Sequence, residues 1–73
     1  MELKYAGRID GEFNGWNGGA VFELVNGIKW KQKECKYHYH YKYRPEAKIW
    51  RDGSRYYLEV ECMNEMIEVE RIN

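Results

Sequence analysis

The stretch AVFELVNGIKWKQK, residues 20–33, decides the fold class of this chain. Apolar residues take every second position before its centre and again after it, where lysines fill the positions between. Alternation with a period of two is typical of a half-buried strand. At the centre, Asn26-Gly27 favours a two-residue turn, because both residues tolerate positive φ. The stretch therefore predicts a β-hairpin.

The same alternation continues towards the C-terminus. In residues 35–43, cysteine and tyrosine alternate with lysine and histidine, which predicts a long strand that Pro45 ends. Asp52-Gly53 predicts a second tight hairpin, and residues 67–70 alternate once more. We predict one all-β domain over residues 1–73, a meander of about five to seven short antiparallel strands closed into an SH3-like barrel. An OB-like barrel and a two-sheet roll are the alternatives.

The length and composition fit such a small barrel. A chain of 73 residues buries only about 60% of the surface that it exposes when unfolded, so its core is thin. Seven Tyr, three Trp and two Phe offer the bulk that a small core needs. Curling the sheet also removes open edges and covers its apolar face.

The cysteines and the N-terminal segment indicate the compartment. Cys35 and Cys62 both fall at apolar positions of predicted strands, which favours reduced, buried thiols. A bridge between them stays open if their strands are neighbours. The first ten residues carry charges and no apolar core, which predicts no signal peptide. No run approaches the roughly 18 apolar residues of a membrane span, so we expect a cytoplasmic protein.

The formal charge is zero overall but uneven along the chain. Residues 1–26 carry a net −2, residues 27–55 a net +6 and residues 56–73 a net −4. One interpretation is internal pairing, in which acidic strands lie next to basic ones. The other is a basic face turned towards an anionic partner.

Several motifs together resemble one bacterial family. They are the run GEFNGWNG at residues 11–18, VFEL with Asn26-Gly27, WKQ at residues 30–32, and the Tyr/His strand followed by Arg44-Pro45. The resemblance spans roughly residues 11–72 and is to short bacterial domains, some of them on integron-type gene cassettes. It implies a small SH3-like barrel and carries over no catalytic or ligand residue. Lys31 stands where the pattern would have Gln or Glu.

His38 and His40 form the one pattern that suggests a metal site. Side chains two apart in a strand point the same way, so both imidazoles could meet one ion. A third ligand would be needed. The acidic candidates are Glu34, Glu59 and Glu61, each only if the strands lie adjacent. Lys36 and Lys42 flank the histidines and disfavour a cation, so we predict no metal and no cofactor.

The tyrosine ladder of the same strand has two interpretations. It could be a stacking platform for bases or rings, or it could be the core face of the strand. Because the tyrosines share their phase with Cys35, we predict a core position for Tyr39 and Tyr41. Tyr37 and Tyr43 stay open between core and surface.

Three further aromatic residues are candidate binding residues. Trp16 is predicted in a glycine-rich loop, where it either meets a partner or folds back to plug the open end of the barrel. Trp50 lies at an outward position between Lys48 and Arg51, and Tyr57 follows across the second hairpin. Aromatic and Arg residues together are typical of interaction hot spots.

The basic strand that contains Lys29, Lys31 and Lys33, with Lys36 beyond it, resembles a nucleic-acid footprint. Solvated lysines that protect an edge strand from aggregation explain the same residues. The zero net charge also argues against a dedicated nucleic-acid binder.

No pair of nucleophile and base stands out, since Ser54 is the only serine and the chain has no threonine. We therefore predict a non-catalytic module that binds a protein partner or a second copy of itself through an aromatic and basic surface. The alternative is a nucleic-acid-binding module that uses the basic strand with Tyr37, His38 and Tyr43. The position of the acidic C-terminal strand should discriminate between them, because acids beside the lysines would neutralise the basic field.

Overall fold

The computed structural model describes all 73 residues, Met1–Asn73, and contains strands and no helix. The antiparallel all-β prediction is confirmed, with eight strands rather than the predicted five to seven. None of the chain forms a long apolar helix that could cross a membrane. The strands are β1 (Glu2–Arg8), β2 (Glu12–Asn17), β3 (Val21–Glu23), β4 (Lys29–Gln32), β5 (Tyr37–Tyr43), β6 (Glu46–Asp52), β7 (Arg55–Val60) and β8 (Ile67–Arg71).

The strands form two antiparallel sheets. Six strands lie in the order β1-β6-β7-β8-β4-β3, and β2 and β5 form a separate two-stranded ribbon. Both predicted hairpins are confirmed, since β3 pairs with β4 and β6 pairs with β7. The first turn is not the predicted two-residue turn: Leu24 N donates to Ile28 O, so the loop spans Val25, Asn26 and Gly27, and of these only Gly27 has positive φ. In the second hairpin Asp52 pairs with Arg55 across Gly53-Ser54. The glycine of each turn has positive φ, 87° at Gly27 and 64° at Gly53, which explains why glycine is required there.

The two edges of the larger sheet, β1 and β3, approach each other without forming a continuous ladder. An isolated bridge joins Ile9 to Leu24, and Asp10 N donates to Glu23 O at 2.8 Å beside it. No sheet closes into a barrel. The larger sheet therefore curls until its edges meet at one bridge, and the β2–β5 ribbon covers part of the interior.

The core is a single cluster to which both sheets contribute. Phe13 and Trp16 from β2 meet Phe22 from β3, with ring centroids 5.6–6.0 Å apart and two of the three contacts edge-to-face. Such aromatic contacts add stabilisation beyond the area that they bury. The twelve buried apolar residues are Ile9, Phe13, Trp16, Phe22, Leu24, Trp30, Ala47, Ile49, Leu58, Val60, Ile67 and Val69.

An irregularity in β2 lets two aromatics point inward. Phe13 and Trp16 are three positions apart, which regular alternation would place on opposite faces, yet both are buried. The register with β5 shifts between Phe13 and Gly15, and Gly15 has a φ of 89°. This bulge anchors the ribbon to the core through β2 and leaves β5 on the outside.

Candidate functional site

Trp16 is a core residue and not a surface residue. It lies in β2 rather than in a loop, only 2% of it is exposed, and its ring packs on Phe13 and Phe22. The sequence prediction of a glycine-rich loop was wrong because a glycine at positive φ here forms a bulge within a strand. Trp16 therefore cannot contact a partner directly.

The basic strand lies beside acidic residues. β4 pairs with β8, and this places Lys31 opposite Glu70. Lys33 Nζ lies 3.5 Å from Glu68 Oε2 in a salt bridge. Lys29, Lys31 and Lys33 all remain exposed, but opposite charges across the ladder reduce the field that they would present to a polyanion.

Lys36, which follows the basic strand, also makes acidic contacts. Its ammonium pairs with the carboxylates of Glu65 and Glu34. The hydrogen bond with Glu65 raises the pKa of Lys36, and the charge of Glu34 raises it further, against some desolvation. This lysine is charged and paired, which removes it from a free basic patch.

Trp50 and Tyr57 face each other across the β6–β7 hairpin, as their positions predicted, but both are half-buried. Trp50 Nε1 donates to Glu59 Oε1 at 2.8 Å. The one polar group of the indole is therefore used within the protein, which leaves this pair a smaller free surface than the sequence suggested.

The exposed aromatic surface of this chain is strand β5. Every residue of Tyr37–Tyr43 is exposed. The four tyrosines are 48–77% exposed, and Tyr39 reaches 75%. The predicted core positions of Tyr39 and Tyr41 are therefore wrong. Strict alternation indicates two distinct faces, but it does not say whether either face meets a core, and here the core ends at β2.

The tyrosine side chains are supported from β2 and the turn that follows it. Tyr43 lies opposite Glu12, Tyr39 opposite Gly15 and Tyr37 opposite Asn17. The Tyr41 hydroxyl lies 3.4 Å from Glu12 Oε1. Partial desolvation raises the pKa of Tyr41, and the Glu12 carboxylate raises it further. Tyr41 is consequently a neutral hydrogen-bond donor on this aromatic face.

One edge of β5 is open. The strand pairs with β2 and with no other strand. Arg44 N donates to Gly11 O, and the carbonyl of His38 and the amide of His40 lie against Gly15. Backbone groups of even-numbered residues thus face β2. Because these groups alternate along a strand, the tyrosine N–H and C=O groups face the open edge.

The Gln32 side chain fixes the segment that leads into β5 through hydrogen bonds. Sequence alternation places Gln32 at an apolar strand position and does not by itself indicate this role. It is 3% exposed, and its side-chain amide donates to Glu34 O and Lys36 O at 2.7 and 2.9 Å. Its Oε1 accepts from Asn17 N at 3.2 Å. A lone amide in an apolar strand phase is the signal that predicts such a buried bridge.

His38 and His40 are both exposed, on the face of β5 opposite to the tyrosines. No group of three or more His, Cys, Asp and Glu side chains is placed to hold a metal ion. Of the predicted third ligands, Glu61 is engaged in a salt bridge, with Oε1 3.5 Å from Lys42 Nζ. The histidines therefore form a second exposed face of β5, opposite the tyrosine face.

The cysteines differ in environment. Both are free; Cys35 is exposed, contrary to its predicted burial, and Cys62 is half-buried. Burial raises the pKa of the Cys62 thiol, which lowers the thiolate fraction at neutral pH.

We expect a thiol reagent to label Cys35 well before Cys62 in the folded protein, because the thiolate is the reacting species and Cys35 is accessible. Mass spectrometry of tryptic peptides after brief iodoacetamide treatment measures the two rates. Labelling in denaturant, where both rates should become similar, is the control. Equal rates in the native protein would contradict the burial of Cys62.

Comparison with known proteins finds no matching family model, no similar curated protein and no similar solved structure. The candidate site therefore stands on its own geometry: a seven-residue exposed strand with a tyrosine face, a histidine face and one unpaired edge. Such a strand is suited to pairing with another extended chain.

Proposed function

We propose that this chain is a non-catalytic protein-interaction module that binds by adding a strand to the open edge of β5. The observation that carries the proposal is that every residue of Tyr37–Tyr43 is exposed, on a strand paired along one side only. In strand addition, main-chain hydrogen bonds give affinity, and alternate side chains give specificity. The site therefore differs from the Trp50 and Tyr57 surface that the sequence favoured.

The strand has few of the features that usually protect an open edge, and its one irregularity is the register shift that sets His40 and Tyr41 against Asn14 of β2. Natural edges are blunted by proline, by several charges, by bulges on the edge strand or by a covering segment. Between Tyr37 and Tyr43 there is no proline, and Lys42 is the one residue with a permanent charge. Four tyrosines in seven residues instead favour strand structure and offer large contact area.

A second copy of the chain is the partner that this edge fits. Two β5 strands can pair antiparallel about a two-fold axis at His40. The tyrosine backbone groups of both strands then face each other, Tyr39 opposite Tyr41 and Tyr37 opposite Tyr43. Each such pair exchanges two hydrogen bonds. The seven residues overlap completely, and the tyrosines of both copies share one face.

The nucleic-acid alternative has less support. Its proposed footprint, the strand with Lys29, Lys31 and Lys33, lies directly beside the acidic strand β8, and Lys36 is paired with two carboxylates. Saturable binding of oligonucleotides to these residues, weakening steeply with salt, would replace the present proposal, since counterion release demands that dependence.

The expected fold family and location belong to the same proposal. The curled six-stranded sheet, with its edges meeting at the bridge between Ile9 and Leu24, supports a relation to the SH3-like barrels. We propose that the module works in the bacterial cytoplasm as an accessory domain.

Replacing Tyr41 with proline should abolish self-association and leave the fold intact. The Tyr41 N–H faces the open edge, so proline removes a donor from the proposed interface without removing one from the β2 pairing. Sedimentation equilibrium from micromolar to millimolar concentration measures the association. We expect the wild type to form a dimer whose population rises with concentration and the variant to stay monomeric.

Tyr41→Val is the matched control, because it removes the same ring but keeps the N–H and a strand-favouring side chain. It should retain measurable dimerisation. The amide NMR spectrum of each variant checks that β2 and the core are unchanged. A wild type that remains monomeric at millimolar concentration would overturn the self-association proposal.

A further inference from the structure

A cavity lies apart from β5, at one end of the six-stranded sheet, with a volume of about 320 Å³. Ile49, which has no exposed surface, and the almost buried Trp30 line it. The half-buried side chains of Tyr5, Ile28 and Tyr56 complete the apolar lining. A cavity of this size lies at the low end of the range for small-molecule sites.

A register shift in β1 and an aromatic pair shape this cavity. A register shift between Leu3 and Tyr5 in β1 sets Tyr5 opposite Ile49. Bulges of this kind re-aim a side chain and are common at the rims of curled sheets. On the other wall, Trp30 and Tyr56 pack in a tilted arrangement with ring centroids 5.1 Å apart and planes inclined by 47°. Two packed aromatic rings form a preformed apolar surface.

The charged groups that line the cavity are all cationic. Lys4 and Arg71 contribute to its lining, and no Asp or Glu side chain does. The Lys4 ammonium lies 3.7 Å from the Glu2 carboxylate, an exposed and therefore weak pair. Arg71 donates through Nε to Asn73 O, and its terminal nitrogens make no hydrogen bond. A guanidinium with free donors suits a carboxylate ligand.

One buried donor in the lining has no partner. Trp30 is 7% exposed, and its indole N–H is one of two buried side-chain groups without a hydrogen bond. The other is Trp16, which packs in the aromatic core and does not line the cavity. Buried donors are almost always satisfied in native proteins. The nitrogen itself has almost no accessible surface, so a ligand in the cavity would contact the Trp30 ring and not its N–H group.

We infer that this cavity is a binding site for a small carboxylate with an apolar, ring-sized body. The ring would pack against Trp30, Tyr56 and Ile49, and the carboxylate would meet Arg71 and Lys4 at the rim. The site is independent of the β5 edge, so it stands or falls separately from the proposed interaction function.

The three tryptophans allow a direct test. In the NMR spectrum of the whole chain, Trp16, Trp30 and Trp50 each give one indole N–H signal, and of the three residues only Trp30 lines the cavity. Titration with 3-phenylpropanoate should move the Trp30 signal saturably and leave the Trp16 and Trp50 signals in place. The uncharged isostere 3-phenylpropanol should bind about tenfold more weakly, as expected for the loss of one charge-assisted contact.

Variants separate the site from non-specific binding. Arg71→Gln should weaken phenylpropanoate binding about tenfold, whereas Arg55→Gln, which lies outside the cavity, should not change it. Ile28→Trp should fill the cavity and block the shift. Absence of a saturable shift at Trp30, equal affinity for the acid and the alcohol, or equal effects of the two arginine variants would overturn the inference.

Discussion

Replacing Gly15 with alanine should destabilise the protein by about 3–5 kcal/mol, among the larger effects that single substitutions produce. Gly15 has a φ of 89°, and a Cβ there would lie against the backbone of β5, 2.7 Å from His40 N and closer still to His38 O. Neither backbone group can rotate away as a side chain would. Alanine must therefore separate β2 from β5 or unfold the bulge that holds Phe13 and Trp16 in the core.

Gly11→Ala is the matched control for this substitution. Gly11 has nearly the same φ, 90°, but a Cβ there meets nothing within 4 Å. It should therefore show only the conformational cost, about 1–2 kcal/mol. Urea unfolding followed by tryptophan fluorescence measures both free energies. Equal effects of Gly11→Ala and Gly15→Ala would contradict the close approach of the two strands.

Trp16→Ala should cost about 3–5 kcal/mol, because it removes the largest fully buried side chain from a thin core. The total stability expected for a chain of this length is only about 4–11 kcal/mol. The substitution also removes both edge-to-face contacts, with Phe13 and with Phe22. We expect a protein that is partly unfolded at ambient temperature by near-ultraviolet circular dichroism and thermal melting.

Trp16→Phe separates packing from polarity at this position. The Trp16 indole N–H is buried without a hydrogen bond, so phenylalanine removes an unsatisfied donor along with one ring. Its cost should be clearly smaller than that of alanine, since only part of the volume is lost. A phenylalanine variant as unstable as the alanine variant would show that the indole makes a specific contact that the structure lacks.

The secondary structure follows largely from local signals in the sequence. Each hairpin has a glycine at positive φ, Gly27 or Gly53, between two alternating strands, so both hairpins were predictable. The pairing of β4 with β8 agrees with their opposite charges. It is one of the two arrangements that the charge pattern allowed. These features depend on residues close in sequence or on simple pairing rules.

The position of β5 does not follow from its own sequence. Tyr39 and Tyr41 have the alternation of a core strand, but the bulge at Gly15 turns β2 inward and leaves β5 outside. Tyrosine suits both a buried and an exposed strand, so its pattern cannot decide between them. The sequence instead favours a binding surface with Trp16, Trp50 and Tyr57, where the structure shows one buried and two half-buried rings.

The cavity lined by Trp30 likewise could not be predicted from local sequence patterns. Its lining comes from β1, the turn before β4, β4 itself and strands β6, β7 and β8, which only the tertiary fold brings together. Trp30 is buried, as its alternation with exposed lysines in β4 would suggest. Alternation gives no information on whether other side chains fill the space that an inward residue faces.

The pairing of β2 with β5 encloses the whole β3–β4 hairpin, since residues 18–36 lie between the two strands. Closing a loop of that length costs entropy before any contact repays it, and the hairpin within it can form first from local contacts. We therefore expect β5 to pair with β2 late in folding. During that interval both of its edges are unpaired, and newly made chains at high concentration can meet through β5 before β2 has covered one side.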